Sequence, residues 1–292
     1  MSIPGLMLPG LNLASSSVSR PVDAAPSAPQ PQSKITESLG PETEYRFESS
    51  FTRPITIKLT SGTAELFGTD LAPDVAYTFH GTKAAVYTWN GCELEVTGAR
   101  DEDYVAGETP MYQYSNTHFA LEDLRNQAEI STGTIGPRVL LVGPENAGKT
   151  ALAKILTAYA VKQERRPVMV SLDPREGTLS IPGALTASAI ATVLDIEEGW
   201  GSSPISGPSA MPVKTPLCYH FGCADAIQNS KLFKACVSRL GVAISGRYQD
   251  DAEIMASGCI IDTPGSLGTG KPGSYEILQH IVGEFSGMFI EF

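Results

Sequence analysis

Between residue 42 and about residue 111, apolar and polar positions alternate in short bursts. Runs at 45–51, 56–60, 64–67, 75–80, 84–89 and 93–96 are rich in Tyr, Phe, Val, Ile and Thr. Turn residues part them, among them Ser61-Gly62, Ala72-Pro73-Asp74 and Asn90-Gly91. Strands at this spacing predict a small antiparallel sandwich or barrel. The period then changes. Phe119, Leu121, Leu124 and Ala128 recur at helical spacing across 118–130, and a Gly- and Pro-bearing stretch at 133–137 ends the run. That helix is expected to connect two domains. Beyond residue 138, short apolar runs at 139–142, 168–172, 217–221 and 259–261 alternate with helical patterns. The helices fall over 149–161, around Leu232, Phe233, Cys236 and Leu240, and over 275–285. Such alternation predicts a mostly parallel sheet with helices on both faces. The stretch 197–214, rich in Gly, Ser and Pro, reads as a surface loop, and 288–290 as the beginning of a further strand.

Before the first strand the pattern fails. Residues 1 to 40 hold six prolines, many Ser and Ala, and no aromatic ring. Too little apolar surface is available there to offset chain entropy, so a disordered tail over 1–41 is expected. The domains predicted are thus this tail, a β domain over 42–115, a connecting helix and linker over 116–136, and an α/β domain over 137–292.

Composition narrows the setting. The 292 residues are 42% apolar and 18% charged, which permits a sizeable core. Acidic residues outnumber basic ones, 32 to 21, and the net charge of −11 argues against sequence-blind coating of nucleic acid. No run approaches roughly 18 consecutive apolar residues, so no membrane span is expected. The apolar start lacks a basic n-region and is broken by Pro4, Gly5, Pro9 and Gly10, unlike a signal peptide. Five widely spaced cysteines form no disulfide framework and fit a reducing, intracellular compartment.

The strongest chemical signal is Gly143-Pro144-Glu145-Asn146-Ala147-Gly148-Lys149-Thr150, which satisfies G-x-x-x-x-G-K-[ST] between an apolar strand and a periodic helix. A Gly-rich turn there lets successive backbone N–H groups surround phosphate oxygens at a helix N-terminus. The segment predicts a nucleoside-triphosphate site built from Gly143, Glu145, Asn146, Ala147, Gly148, Lys149, Thr150 and Ala151. Lys149 would reach the β- and γ-phosphates and the Thr150 hydroxyl would ligate Mg²⁺. The acid expected to complete the site is Asp173, directly after the strand 168–172, as holder of the metal's water shell or as a general base. Asp262 also ends a strand, and Asp262-Thr263-Pro264-Gly265 looks like the D-x-x-G element of GTPases. No N-K-x-D or T-K-x-D run follows it, which sets guanine recognition aside.

Other clusters are weaker. Cys218, His220 and Cys223 bring soft ligands together without a paired C-x-x-C, and buried cysteine as a small hydrophobe is the stronger expectation. Arg165-Arg166 and Lys231/Lys234 fit a solvated helix face better than an RNA contact. Tyr87 and Trp89 are expected in the core of the β domain rather than on a base-stacking platform.

Several strings carry a resemblance. They are 42–47, 62–69, 81–89 and 103–111 in the β domain, and 143–150, Leu172-Asp173-Pro174, 180–183 and 256–261 in the second domain. In these the chain resembles the polynucleotide 5′-hydroxyl kinases, and within them the ATP-binding subunits of fungal pre-mRNA cleavage factor I. The resemblance implies a P-loop NTPase domain whose nucleotide, ATP with Mg²⁺, is covered by the β domain, with Glu44 and Lys83 at adenine-contacting positions. It implies a nuclear subunit of the pre-mRNA cleavage and polyadenylation complex, with other subunits of that complex as partners and RNA met only indirectly. Neither a membrane nor a DNA sequence is an expected partner. Active kinases of the family carry D-x-G-Q, whereas Asp173 is followed here by Pro174, Arg175 and Glu176. Family members also continue through a lid with catalytic arginines, so the second domain is expected to be incomplete at its C-terminus. ATP as a structural ligand is the favoured expectation. The alternative is an active RNA 5′-hydroxyl kinase with Asp173 as its base.

Overall fold

A computed structural model describes residues 34–98, 102–131, 133–199, 216–285 and, as backbone, 288–291. Nine strands come first: β1 (Lys34–Leu39), β2 (Thr43–Glu48), β3 (Ile55–Gly62), β4 (Glu65–Leu66), β5 (Thr69–Asp70), β6 (Ala76–Phe79), β7 (Lys83–Thr88), β8 (Cys92–Gly98) and β9 (Glu102–Ala106). Then follow α1 (Met111–Ile130), β10 (Arg138–Val142), α2 (Lys149–Lys162), β11 (Val168–Ser171), β12 (Ala184–Ala189) and β13 (Leu217–His220). Last come α3 (Ser230–Asp250), α4 (Ala252–Ser257), β14 (Cys259–Asp262), α5 (Ser274–Phe285) and β15 (Met288–Glu291).

The first nine strands form a sandwich of two antiparallel sheets, ordered β1-β8-β3-β6 and β5-β4-β7-β2-β9. Alternation decides which side chains meet between them. Ile55, Ile57 and Leu59 of β3, Leu94 and Val96 of β8, Tyr45 and Phe47 of β2 and Val86 of β7 fill the core. Full burial of a side chain such as Ile57 stabilises by roughly 1.5–3 kcal/mol. The same alternation turns Glu44 and Arg46 of β2, and Lys83, Ala85 and Tyr87 of β7, to the outer face of the five-stranded sheet.

β1 corrects the expected tail. Lys34–Leu39 pairs with residues 92–97 of β8, and Leu39 is buried in the sandwich core. A polar strand gains order there from an edge of hydrogen bonds that composition does not reveal. The part of the expected tail over 1–33 lies outside the described residues. The connecting helix also starts earlier than expected, at Met111, directly after Pro110. Pro110 is compatible with a helix start, and Met111 and Tyr114 pack toward the other domain instead of ending the sandwich.

The second sheet runs β13-β12-β11-β14-β10-β15. β11, β14, β10 and β15 are parallel; β12 and β13 are added antiparallel at one edge. β12 lies outside the runs read from the sequence, because Ala184–Ala189 is built mostly of small side chains with little apolar content. Both faces are covered, so β10 reads as one apolar run. Val139 and Leu141 meet Leu121 of α1 and Leu152 and Leu156 of α2. Leu140 and Val142 join the cluster of α3 and α5 residues Phe233, Val237, Leu240, Ile277 and Ile281. Of the loop expected over 197–214, the part from residue 200 on lies outside the described residues. No helix among the described residues is long and apolar enough to cross a membrane.

The turn between β4 and β5 joins the two domains. Phe67, at φ +49°, packs against the sandwich core, a cluster of the second domain and the cluster between the two domains. A Cβ on the next residue, Gly68 (φ +81°), would lie 3.1 Å from the Cβ of Ala158 and 3.2 Å from the carbonyl of Ile155. The Tyr159 hydroxyl donates to Glu65, and Lys162 pairs with Asp70 at 3.0 Å.

Candidate nucleotide-binding site

The loop 143–150 leaves β10 and enters α2. Its turn requires positive φ at Asn146 (+62°) and at Gly148 (+85°), the N-cap of α2. Lys149 is buried and its Nζ donates to the carbonyl of Pro144 at 2.7 Å. The Thr150 hydroxyl donates to Oδ2 of Asp262 at 2.6 Å. The loop is braced from behind. A Cβ on Gly265 would fall 2.6 Å from Cα of Glu145, and one on Gly268 2.4 Å from the carbonyl of Gly143. The D-x-x-G string therefore brings backbone against backbone beneath the phosphate loop.

Asp262, not Asp173, is the acid tied to Thr150. Its carboxyl is fully buried, and burial pushes its pKa up to about 7. The Thr150 hydrogen bond opposes that shift, the nearby charges of Glu176 and Asp173 add to it, and Lys149 opposes it. Its Oδ1 has no hydrogen-bond partner among the described residues. A hydroxyl beside an unsatisfied buried carboxylate oxygen fits a Mg²⁺ ion with its water shell. Asp173 stands on the wall of the same cleft, where its Oδ1 accepts from the backbone N–H of Arg175 at 3.0 Å. Asp173 thus lines the cleft without joining the Thr150–Asp262 pair. The sequence pointed to two strand-ending acids, and only the hydrogen bond to Thr150 separates their roles.

Two cavities meet at the loop. The larger, about 970 Å³, is lined by Lys149, Thr150, Asp173, Arg175, Glu176 and Lys154, and on the β-domain side by Phe51, His80 and Lys83. Lys83 is exposed and pairs with Glu48 at 2.7 Å, which raises its pKa. Arg175 is held by Glu145 at 2.9 Å and by the Ala224 carbonyl at 3.1 Å. The smaller cavity, about 450 Å³, lies between the outward face of β2 and β7 and the loop residues Asn146, Ala147 and Gly148, with Ala151 of α2 beside them. Glu44 is buried in its wall. Arg46 pairs with Oε1 of Glu44, and the Thr109 hydroxyl donates to Oε2 at 2.9 Å. Glu44 and Lys83 thus occupy different cavities, both opening on the loop. Tyr87 is not in the sandwich core, as the sequence had suggested; it packs with Met111 and Ile155 between the domains.

The weaker clusters carry no site. Among the described residues no three His, Cys, Asp or Glu side chains are grouped to hold a metal, and Cys218 is exposed beside Ser180. Arg165 binds Glu122, Glu129 and Asn126 on α1, and Arg166 binds Asp251 and Glu253, so both guanidiniums join elements of the fold.

Residues 38–128 match the family described as the N-terminal beta-sandwich domain of polyadenylation factor. Residues 143–287 match the P-loop of mRNA cleavage and polyadenylation factor CLP1. The chain belongs to the CLP1 family of mRNA cleavage and polyadenylation factors. It is 54% identical over 284 residues to the factor so named from Phaeosphaeria nodorum, and 53% identical over 286 residues to that from Botryotinia fuckeliana. Those alignments cover 96% and 98% of this chain and 59% of each relative, so the chain spans about three fifths of the relatives' length. Two solved structures share the fold. One, described as an extended interface between Pcf11p and Clp1p with the structural basis for ATP loss in a glycine-to-arginine point mutant, superposes with a TM-score of 0.77 at 27% identity. It covers 89% of this chain and 61% of the other. The second, a wild-type Clp1p–Pcf11p complex, gives 0.75 at 28% identity over 89% of this chain and 60% of that one. CLP1 proteins therefore share both the sandwich and the P-loop domain seen here.

Proposed function

We propose that the chain binds ATP, with Mg²⁺, between the outer face of its β sandwich and the phosphate loop. We propose further that it does so as a nuclear subunit of the pre-mRNA 3′-end cleavage and polyadenylation complex, meeting RNA through its partner subunits. One observation carries the nucleotide reading: the loop 143–150, with Thr150 bonded to Asp262, opens onto a cavity whose other wall holds Glu44 of the β domain. Lys149 and the loop N–H groups would bind the phosphates, and Thr150 and Asp262 would hold the metal, which supplies charge neutralisation there. Glu44 would accept from the adenine amino group, its carboxylate oriented by Arg46 and Thr109. Lys83, at the mouth of the larger cavity, would cover the nucleotide from the side. The relatives' names and the Clp1p–Pcf11p structures support the assembly role, with a subunit such as Pcf11p as the kind of partner.

The nucleotide is proposed as a structural ligand. Arg175, the arginine of the larger cavity, is engaged by Glu145, and Glu176 adds negative charge beside Asp262, which opposes a developing phosphoryl charge. A ligand of the folded state stabilises by about 2.7 kcal/mol at a hundredfold excess over its Kd. The placement of Asp173 on the cleft wall favours a second reading, transfer to an RNA 5′-hydroxyl. Native purification followed by mass analysis of the released nucleotide tests the first reading, with ATP as the expected species. GTP, or a melting temperature unmoved by ATP, contradicts it. Labelling of a 5′-hydroxyl RNA that vanishes in Asp173→Ala would establish the second.

A further inference from the structure

Glu44, Tyr87 and Glu65 lie side by side across β2, β7 and β4, in register, on the face turned to the second domain. Both carboxylates have partners within the protein: Glu65 accepts from Tyr159, and Glu44 accepts from Arg46 and Thr109, one at each oxygen, which leaves each Glu44 oxygen a further lone pair. Tyr87 is different. Tyr87 is 2% exposed, and its hydroxyl oxygen, shielded from solvent, has no hydrogen-bond partner among the described residues. Leaving a buried hydroxyl unpaired costs about 1–3 kcal/mol. Packing alone does not require that hydroxyl, since Phe would fill the same contacts. Trp89 fixes the ring edge-on at 4.9 Å between centroids, and Tyr112 fixes Trp89 in turn at 5.7 Å. Tyr87 lines the smaller cavity, together with Glu44, Tyr114 and the loop residues Asn146 and Gly148. The cavity, at about 450 Å³ with Met111 and Ile155 in its walls, has the size and mixed lining of a site for a flat heteroaromatic ring.

We propose that Tyr87 is a specificity-determining residue of the nucleotide site, its hydroxyl donating to a ring nitrogen on the base edge whose amino group faces Glu44. This rests on the reading that an adenine nucleotide occupies the site. A rigid ring presenting one donor beside one carboxylate acceptor matches the acceptor and donor that adenine shows on one edge. Tyr87 thereby gains the partner that the described residues do not supply.

Calorimetric titration of the full chain and its Tyr87→Phe variant with ATP and with inorganic triphosphate, both with Mg²⁺, tests this. Tyr87→Phe is expected to weaken ATP roughly 3- to 10-fold and to leave triphosphate affinity unchanged. Without ligand the variant is expected to melt at or above the wild-type temperature, because an unpaired hydroxyl has been removed. Equal ATP affinity in both proteins overturns the proposal while leaving ATP binding intact. So does equal weakening of ATP and triphosphate, or a lowered melting temperature without ligand, each of which marks a structural role. Failure of the wild type to bind ATP removes the underlying reading instead.

Discussion

Thr150 and Asp262 lie 112 residues apart, and their 2.6 Å hydrogen bond sets Asp262 apart from Asp173 among the acids around the phosphate loop. Asp262→Asn keeps the shape and a hydrogen-bonding group but removes the charge that would face the metal. ATP affinity measured with Mg²⁺ and with EDTA should then differ strongly in the wild type and little in the variant, while Asp173→Asn retains the wild-type difference. An unchanged Mg²⁺ effect in Asp262→Asn would place the metal elsewhere. Glu44→Ala tests the base side. It should relax the preference for ATP over GTP, because a base contact is lost while Lys149 and the loop N–H groups remain. The phosphate loop was legible because its chemistry is local, eight consecutive residues between a strand and a helix. The choice of Asp262 over Asp173, and the orphaned Tyr87 hydroxyl, were not, because both depend on contacts between distant strands.

Among the elements, α1 and α2 show what a buried titratable group does to their packing. His118 of α1 is buried against Tyr159 of α2, with ring centroids 5.4 Å apart. Burial first, and then the charge of Arg125, lower its pKa from 6.5 to about 4 against the pull of Glu122. The folded form therefore loses its proton more readily than the unfolded chain. Its contribution is complete above the unfolded pKa and is lost as pH falls from about 6.5 toward 4, up to ~3 kcal/mol in all. Urea unfolding between pH 4.5 and 7.5 should show this slope in the wild type and a flatter one in His118→Phe; identical slopes would contradict the assignment. Gly265 tests another joint. Gly265→Ala puts a Cβ 2.6 Å from the Cα of Glu145, so the loop must shift, and ATP affinity should fall with the secondary structure intact by circular dichroism. The periodic elements of both domains were legible from alternation and helical spacing. β1 and β12 escaped notice because neighbouring strands order them, not their own apolar content.

In the whole molecule, the proposed nucleotide is shared by two domains. The sandwich presents an outward row from β2 and β7, and the β4–β5 turn holds that row against α2 through Phe67, Gly68 and the Tyr159–Glu65 contact. Neither domain alone encloses the smaller cavity. Hydrogen–deuterium exchange of the full chain, with and without Mg²⁺ and ATP, tests this most directly. Slower exchange is expected both in the loop 143–150 and in the strands Thr43–Glu48 and Lys83–Thr88. Protection confined to 143–150, with those strands unchanged, would contradict it.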